Sequence, residues 1–190
     1  MKIGLFFGSF NPIHTGHLII AQTMATATDL ERVWFVVSPQ NPFKKSKSLL
    51  HEFDRLYMVE RAIDDNPLLA VSDVEFHMPK PSYTIDTLVT LQEKFPQHTF
   101  RLIMGEDNLA QFSNWKNYEQ ILAHTGLYVY PRPGVQPHAF HHHDKVTFVQ
   151  APLLDISATF IREAVTAGRS IRYLVPEIVE ETIRFKKFYV

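Results

Sequence analysis

Two histidines three residues apart, His14 and His17, stand in Gly8-Ser9-Phe10-Asn11-Pro12-Ile13-His14-Thr15-Gly16-His17. Before this stretch lies Ile3-Gly4-Leu5-Phe6-Phe7, a run with the length and aromatic content of a buried strand. After it, the run from Leu18 to Ala25 reads as a helix. A strand, a glycine turn and a helix together have the layout of an anion site; a glycine turn alone is more often only a turn, and the paired histidines make the pattern specific. The turn lets backbone approach the anion, and the free N–H groups and dipole at the helix start attract negative charge. At helical spacing the two imidazoles share a face. Gly16 between them removes a side chain where a ligand must come close.

Four further stretches carry chemistry. Ile156-Ser157-Ala158-Thr159-Phe160-Ile161-Arg162 opens a helix with Ser157 at the cap and Gly168 closing it. Arg162 near its start runs against the helix dipole. A bound anion would account for that; an outward-pointing arginine would too. Pro81-Ser82-Tyr83-Thr84 marks another helix start, with Ser or Thr as cap, whose N–H groups can hold a carboxylate or simply be capped. Gly105-Glu106-Asp107 ends a strand, which puts Asp107 near a ribose or a metal, at the cap of the next helix, or both. Asn41 and Lys44 lie in the loop 38–45, and with Lys45 and Lys47 this is the most basic stretch: a solvated loop, or a cationic flap over phosphates. The segment 136–144 carries His138, His141, His142 and His143. It reads as an exposed loop, because no matched carboxylate framework accompanies it and any metal would be adventitious.

The elements that must position these residues alternate. Strands are predicted at 3–7, 33–37, 68–74, 99–104, 126–130 and 145–149, with helical patterns after each of the first five turns or loops except the last. This order argues an α/β, Rossmann-like doubly wound fold. Its sheet is mainly parallel and covered on both faces, with ligands at the C-terminal strand ends. A small helical part, about 156–190, finishes a single domain spanning 1–190.

The totals fit that frame. The chain has 190 residues, 45% of them hydrophobic, enough for a sizeable core. A net charge of −1 leaves no general field for a polyanion, so no nucleic acid is expected and phosphate recognition must be local. The absence of cysteine excludes disulfides, thiol nucleophiles and cysteine metal sites. No signal-peptide pattern opens the chain and no apolar run approaches the ~20 residues of a membrane span, so a soluble cytoplasmic protein with no membrane partner is expected.

Taken in order, the Gly8–His17 stretch, Pro81-Ser82-Tyr83-Thr84, Gly105-Glu106-Asp107 with Trp115, Arg132-Pro133-Gly134 and Ile156–Arg162 resemble the bacterial nicotinate-nucleotide adenylyltransferases. These belong to the nucleotidylyltransferase superfamily, with its (H/T)xGH motif. The first and last stretches mark only the superfamily; the middle three point to this member. The resemblance implies transfer of AMP from ATP to nicotinate mononucleotide, giving nicotinate adenine dinucleotide and pyrophosphate in NAD biosynthesis, with Mg²⁺. It implies catalytic roles for His14, His17 and Arg162. ATP would meet Gly8, Ser9, Phe10, His14, His17, Gly105, Asp107, Ile156, Ser157, Thr159 and Arg162. The mononucleotide would meet Asn41, Lys44, Tyr83, Thr84, Trp115 and Arg132. No protein metal site is implied. Two departures stand out: Asn11 where many relatives carry Asp, and Lys44-Lys45 where many have a His-Arg pair, which keeps charge but loses the arginine fork.

Rival readings differ in identifiable residues. Pantetheine-phosphate adenylyltransferase shares the first motif but not Tyr83-Thr84, Trp115 or the Ile156–Arg162 ending. A cytidylyltransferase would end in an Arg-Thr-x-Gly-Ile-Ser-Thr-Thr type motif, which nothing before Ser157 matches. An adenylyltransferase preferring the nicotinamide mononucleotide stays open, as does a homo-oligomeric state. A non-catalytic nucleotide sensor would have little use for both histidines and the distal arginine.

Overall fold

The computed structural model describes residues 1–39 and 49–190. Asn41 and Lys44, with Lys45 and Lys47, lie outside the described residues. Six parallel strands form one sheet: β1 (Lys2–Gly8), β2 (Arg32–Val37), β3 (Leu69–Ser72), β4 (Thr99–Gly105), β5 (Leu127–Tyr130) and β6 (Val146–Phe148), in the order β3-β2-β1-β4-β5-β6. The expected doubly wound architecture is therefore observed, with every described pairing parallel.

Alternation along the strands explains why both faces are covered. On β2, Val33, Phe35 and Val37 enter one core while Val36 enters the other. On β4, Ile103 joins the first core, and Phe100, Leu102 and Met104 join the second. Helices α1 (Thr15–Ala27), α2 (Glu52–Ile63), α6 (Ala158–Thr166) and α7 (Glu177–Lys186) cover the first face through Met24, Met58, Ile161 and Val179. Helices α3 (Thr84–Lys94), α4 (Glu106–Leu109) and α5 (Tyr118–His124) cover the second through Leu91, Leu109 and Ile121.

Three sequence expectations are corrected. The strand predicted at 68–74 is shorter, because β3 is an edge strand paired only over Leu69–Ser72, and a 3₁₀ turn takes Val74–His77. Helix α3 has Tyr83 at its N-cap with no side-chain cap. Neither Ser82 nor Thr84, the Ser or Thr expected as cap, takes that place, and Ser82 instead donates its hydroxyl to the buried Glu75 carboxylate. Asp107 is not a cap either: Gly105 occupies that position and Asp107 sits in the first turn of α4.

The sheet order fixes where a ligand can bind. From β1 the chain winds outward one way through β2 and β3, then returns to the other side at β4. The crevice at such a reversal lies outside the carboxyl ends of the two central strands. The β1–β4 register pairs Phe6 with Ile103, and its continuation sets Gly8 level with Gly105. Both glycine turns singled out in the sequence thus open at one point.

Candidate active site

The phosphate turn is built from backbone up. Gly8 ends β1, and Phe10 adopts a left-handed backbone with φ of 45°, rare for a bulky residue and typical of turns held by their surroundings. What holds it is burial: Phe10 is 2% exposed and packs edge-on against Phe35 and the His17 ring. His14 is the N-cap residue of α1 and His17 lies in the first turn. Their rings stack with centroids 3.6 Å apart. A Cβ on Gly16 would stand 3.1 Å from Nδ1 of His14, so the smallest residue lets the ring lie close to the helix.

The protonation state follows from this packing. The His14 backbone N–H donates to Nδ1 of His17 at 3.3 Å. With Nδ1 accepting, the proton of a neutral His17 sits on Nε2, leaving that nitrogen a donor. Burial, then the charge of Arg132, lowers the His14 pKa to about 4. Burial, His14 and Arg132 hold His17 well below the ordinary histidine range. Both rings are neutral near pH 7. They are hydrogen-bond donors rather than cations.

The C-terminal motif reaches the same turn. Arg162 donates from Nη1 to the Asn11 carbonyl at 2.8 Å and from Nη2 to Oγ1 of Thr159 at 3.1 Å. Ser157 caps α6, accepting from the Phe160 N–H as its sequence predicts. Ile156 packs partly buried against the first core. Asn11 is 4% exposed, and its Oδ1 accepts from the Tyr189 hydroxyl at 2.8 Å and the Leu50 N–H at 3.2 Å. Thr15, at the start of α1, donates its N–H to the Leu174 carbonyl and its hydroxyl to the Tyr173 carbonyl. The final third of the chain therefore closes on the N-terminal motif by several independent bonds.

Beyond β4, Gly105 admits a crowded neighbour. A Cβ there would meet Oδ1 of Asp107 at 2.4 Å and the Tyr130 ring at 3.2 Å. Arg132 lies over the Tyr130 ring, with Nε 3.9 Å from Asp107 Oδ1. Its charge is felt by both histidines. Tyr83 and Thr84 stand at the start of α3, and Trp115 packs against Phe112 at the edge of the second core. Lys116, next to Trp115, lies 4.9 Å over the Tyr83 ring and pairs with Asp86 in the first turn of α3. A groove of about 720 Å³ beside α3 is lined by Tyr83, Asp86 and Lys116, but not by His14, His17 or Arg162.

Two buried groups were not apparent from the sequence motifs. Arg55 is wholly buried and donates to four carbonyls: Leu50 at 3.0 Å, Ser9 at 2.5 Å, Ser38 at 2.8 Å and Pro39 at 3.0 Å. It ties the phosphate turn to the end of β2. Its signal was present, since Arg55 falls in the buried stripe of α2 with Met58, Val59 and Ile63. Glu75 accepts from the hydroxyls of Ser82 and Thr87 and so fixes the start of α3. The segment 136–144 is a largely exposed loop, as expected, but the expectation that no carboxylate accompanies its histidines is corrected. His138 is only 9% exposed at its side chain, and Glu106 supplies a nearby carboxylate. Glu106 follows β4 and His138 follows β5, so pairing of neighbouring strands joins what the sequence separates.

A cytidylyltransferase-like family model matches residues 5–164. A probable nicotinate-nucleotide adenylyltransferase of Cytophaga hutchinsonii is 64% identical, covering 100% of this chain and 98% of that protein. One from Flavobacterium psychrophilum is 50% identical, covering 100% and 99%. A solved structure, Plasmodium falciparum nicotinic acid mononucleotide adenylyltransferase complexed with NaAD, superposes with a TM-score of 0.83 over 99% of this chain and 97% of that one. At 20% identity it speaks for the fold alone. With half to two-thirds of its residues shared along the whole length of such relatives, the chain belongs to the nicotinate-nucleotide adenylyltransferases within the cytidylyltransferase-like family.

Proposed function

We propose that the protein transfers AMP from ATP to nicotinate mononucleotide, releasing pyrophosphate and forming nicotinate adenine dinucleotide. The observation that carries the reading is the convergence of Arg162 and the His14–His17 pair on one turn, through the Asn11 carbonyl. A phosphate monoester is already nucleophilic near neutral pH, so no base or covalent intermediate is required. The catalytic task is to align two anions in line and to meet charge as it develops. Neutral His14 and His17, with the Gly8–Phe10 backbone, donate to the triphosphate from one side. Ser157, Thr159 and Arg162 meet its β and γ groups from the other. Mg²⁺ enters with ATP, carried by phosphate oxygens and water; the donor-rich turn suits such a complex. Gly105 and Asp107 take the adenosine, and Ile156 lines that side.

For the acceptor, Trp115 offers a face to the pyridine ring, and Arg132 stands where a second phosphate must pass. Asn41 and Lys44 are further contacts for the mononucleotide in this reading. The backbone N–H groups at Tyr83 and Thr84 open α3 and suit a carboxylate, which only accepts; an amide carries donors that would be left opposed. The enzyme works as one domain in the cytoplasm, independent of nucleic acid and membrane; no helix among the described residues is long and apolar enough to cross a membrane. The test is pyrophosphate release from ATP with each acceptor in turn. Nicotinate mononucleotide should give the highest kcat/KM. Equal values for acid and amide forms would remove the Tyr83–Thr84 argument, and release only with a pantetheine phosphate would overturn the assignment.

A further inference from the structure

We propose that Glu106, His138 and His141 form a binding site for one zinc-class divalent cation, outside the phosphate-binding groups. One ligand atom from each lies within 4.8 Å of the others. Oε1 of Glu106 is 3.7 Å from Nε2 of His138 and 3.4 Å from Nδ1 of His141. Two ligands each ~2.1 Å from a tetrahedral ion lie ~3.4 Å apart, so these separations need little movement to close on a metal.

The second observation is independent of that spacing. The His138 side chain is 9% exposed, faces Glu106, and neither of its ring nitrogens has a hydrogen-bond partner among the described residues. A buried imidazole without partners is costly, and native structures ordinarily satisfy such groups. A cation between Nε2 and the carboxylate satisfies one of them directly.

The surroundings hold the ligands in place. Oε2 of Glu106 accepts the Arg132 backbone N–H at 3.3 Å, which leaves Oε1 to face the histidines. The His141 ring packs on Phe148 at 4.8 Å. Phe140, between the two histidines in sequence, packs against Phe112 and Tyr118 and anchors the loop to the second core. The His141 N–H donates to the His138 carbonyl, closing the turn that brings both rings to one side. Supporting contacts of this kind orient ligands and tune affinity.

Two imidazoles and one carboxylate select Zn²⁺, and Co²⁺ or Ni²⁺ in its place, over Mg²⁺ or Ca²⁺, which prefer all-oxygen shells. His141 is 47% exposed at its side chain, so a fourth position for water opens to solvent. The bound ion would tie the 136–144 loop to the end of β4. His142 and His143 have no part: His143 faces Asp144 and accepts from the Lys145 N–H.

The test uses the untagged protein, stripped with chelator and titrated with Zn²⁺ alone by calorimetry, without nucleotide. It therefore stands or falls separately from the adenylyl-transfer reading. One ion per chain is expected, with a higher unfolding temperature on binding. Co²⁺ should give the visible absorption of a tetrahedral site. His141→Ala, at an exposed position that does not threaten folding, and His138→Ala should each weaken binding by ~100-fold or more, while His142→Ala binds as the parent does. A loss in His142→Ala equal to that in His141→Ala would overturn the site, leaving an adventitious histidine tract. Unchanged binding in His141→Ala, or displacement of Zn²⁺ by equimolar Mg²⁺, would do the same.

Discussion

Replacing Arg55 by alanine should loosen the phosphate turn and destabilise the whole fold. The guanidinium is wholly buried and satisfies four backbone carbonyls from three separate segments. Each buried acceptor left without a donor costs about 1–3 kcal/mol. Water entering the vacated space keeps each near the lower limit, for a total of about 4 kcal/mol. That agrees with the roughly 3–5 kcal/mol lost when one partner of a buried charged contact is removed. In a chain of this size 1 kcal/mol moves the midpoint by ~2–4 °C, so thermal unfolding should occur ~8–16 °C earlier. Arg55→Lys keeps the charge but gathers its donors at one point. It cannot span carbonyls on both the Ser9 turn and the end of β2, and should recover less than half of the loss. Because Ser9 is one of the four acceptors, turnover measured well below the unfolding temperature should fall as well. A variant unfolding within ~2 °C of the parent would refute the clamp, as would a lysine variant of full stability.

His17→Ala should lower kcat by on the order of 10²–10³, the usual loss for one transition-state donor, with smaller change in ATP affinity; turnover near that of the parent would exclude His17 from catalysis. Trp115→Ala should raise KM for the mononucleotide roughly tenfold or more, the scale of one lost ring stack, and an effect confined to ATP would place the ring elsewhere. Acid should destabilise the free protein in a defined window. The folded state holds His14 neutral down to about 4, while the unfolded chain takes up that proton near pH 6.5. Stability from this group is thus intact above pH 6.5 and declines by roughly 3 kcal/mol as pH falls towards 4. Urea midpoints between pH 7.5 and 4 should show a shallower slope in His14→Gln, and an unchanged slope would remove the histidine from the account.

How much was legible beforehand depended on the range of the signal. The apolar runs of β2 and β4 and the glycine turns after β1 and β4 are local, and they marked the strands and the turns that follow them. The Ser157 cap was also local, and it appears as read. The Ser82 cap failed because a buried carboxylate, Glu75, competed for the hydroxyl. Asp107 failed as a cap because α4 begins directly at Glu106, leaving no residue between strand and helix. Arg55 was overlooked among the charges of its helix, although its place in the buried stripe is visible once burial is assigned. The Glu106–His138 neighbourhood depends on which strands are adjacent, and a list of local patterns does not contain that.

The bond from the Tyr189 hydroxyl to Asn11 spans 178 residues, and that from Arg162 spans 151. Contacts so distant along the chain form late, since the intervening polypeptide must first be ordered. On a ribosome the histidine motif emerges early but has neither its arginine nor its tyrosine to lean on. A nascent or prematurely terminated chain would present the turn without these two tethers, so the N-terminal motif reaches its final shape only once the last residues have been made.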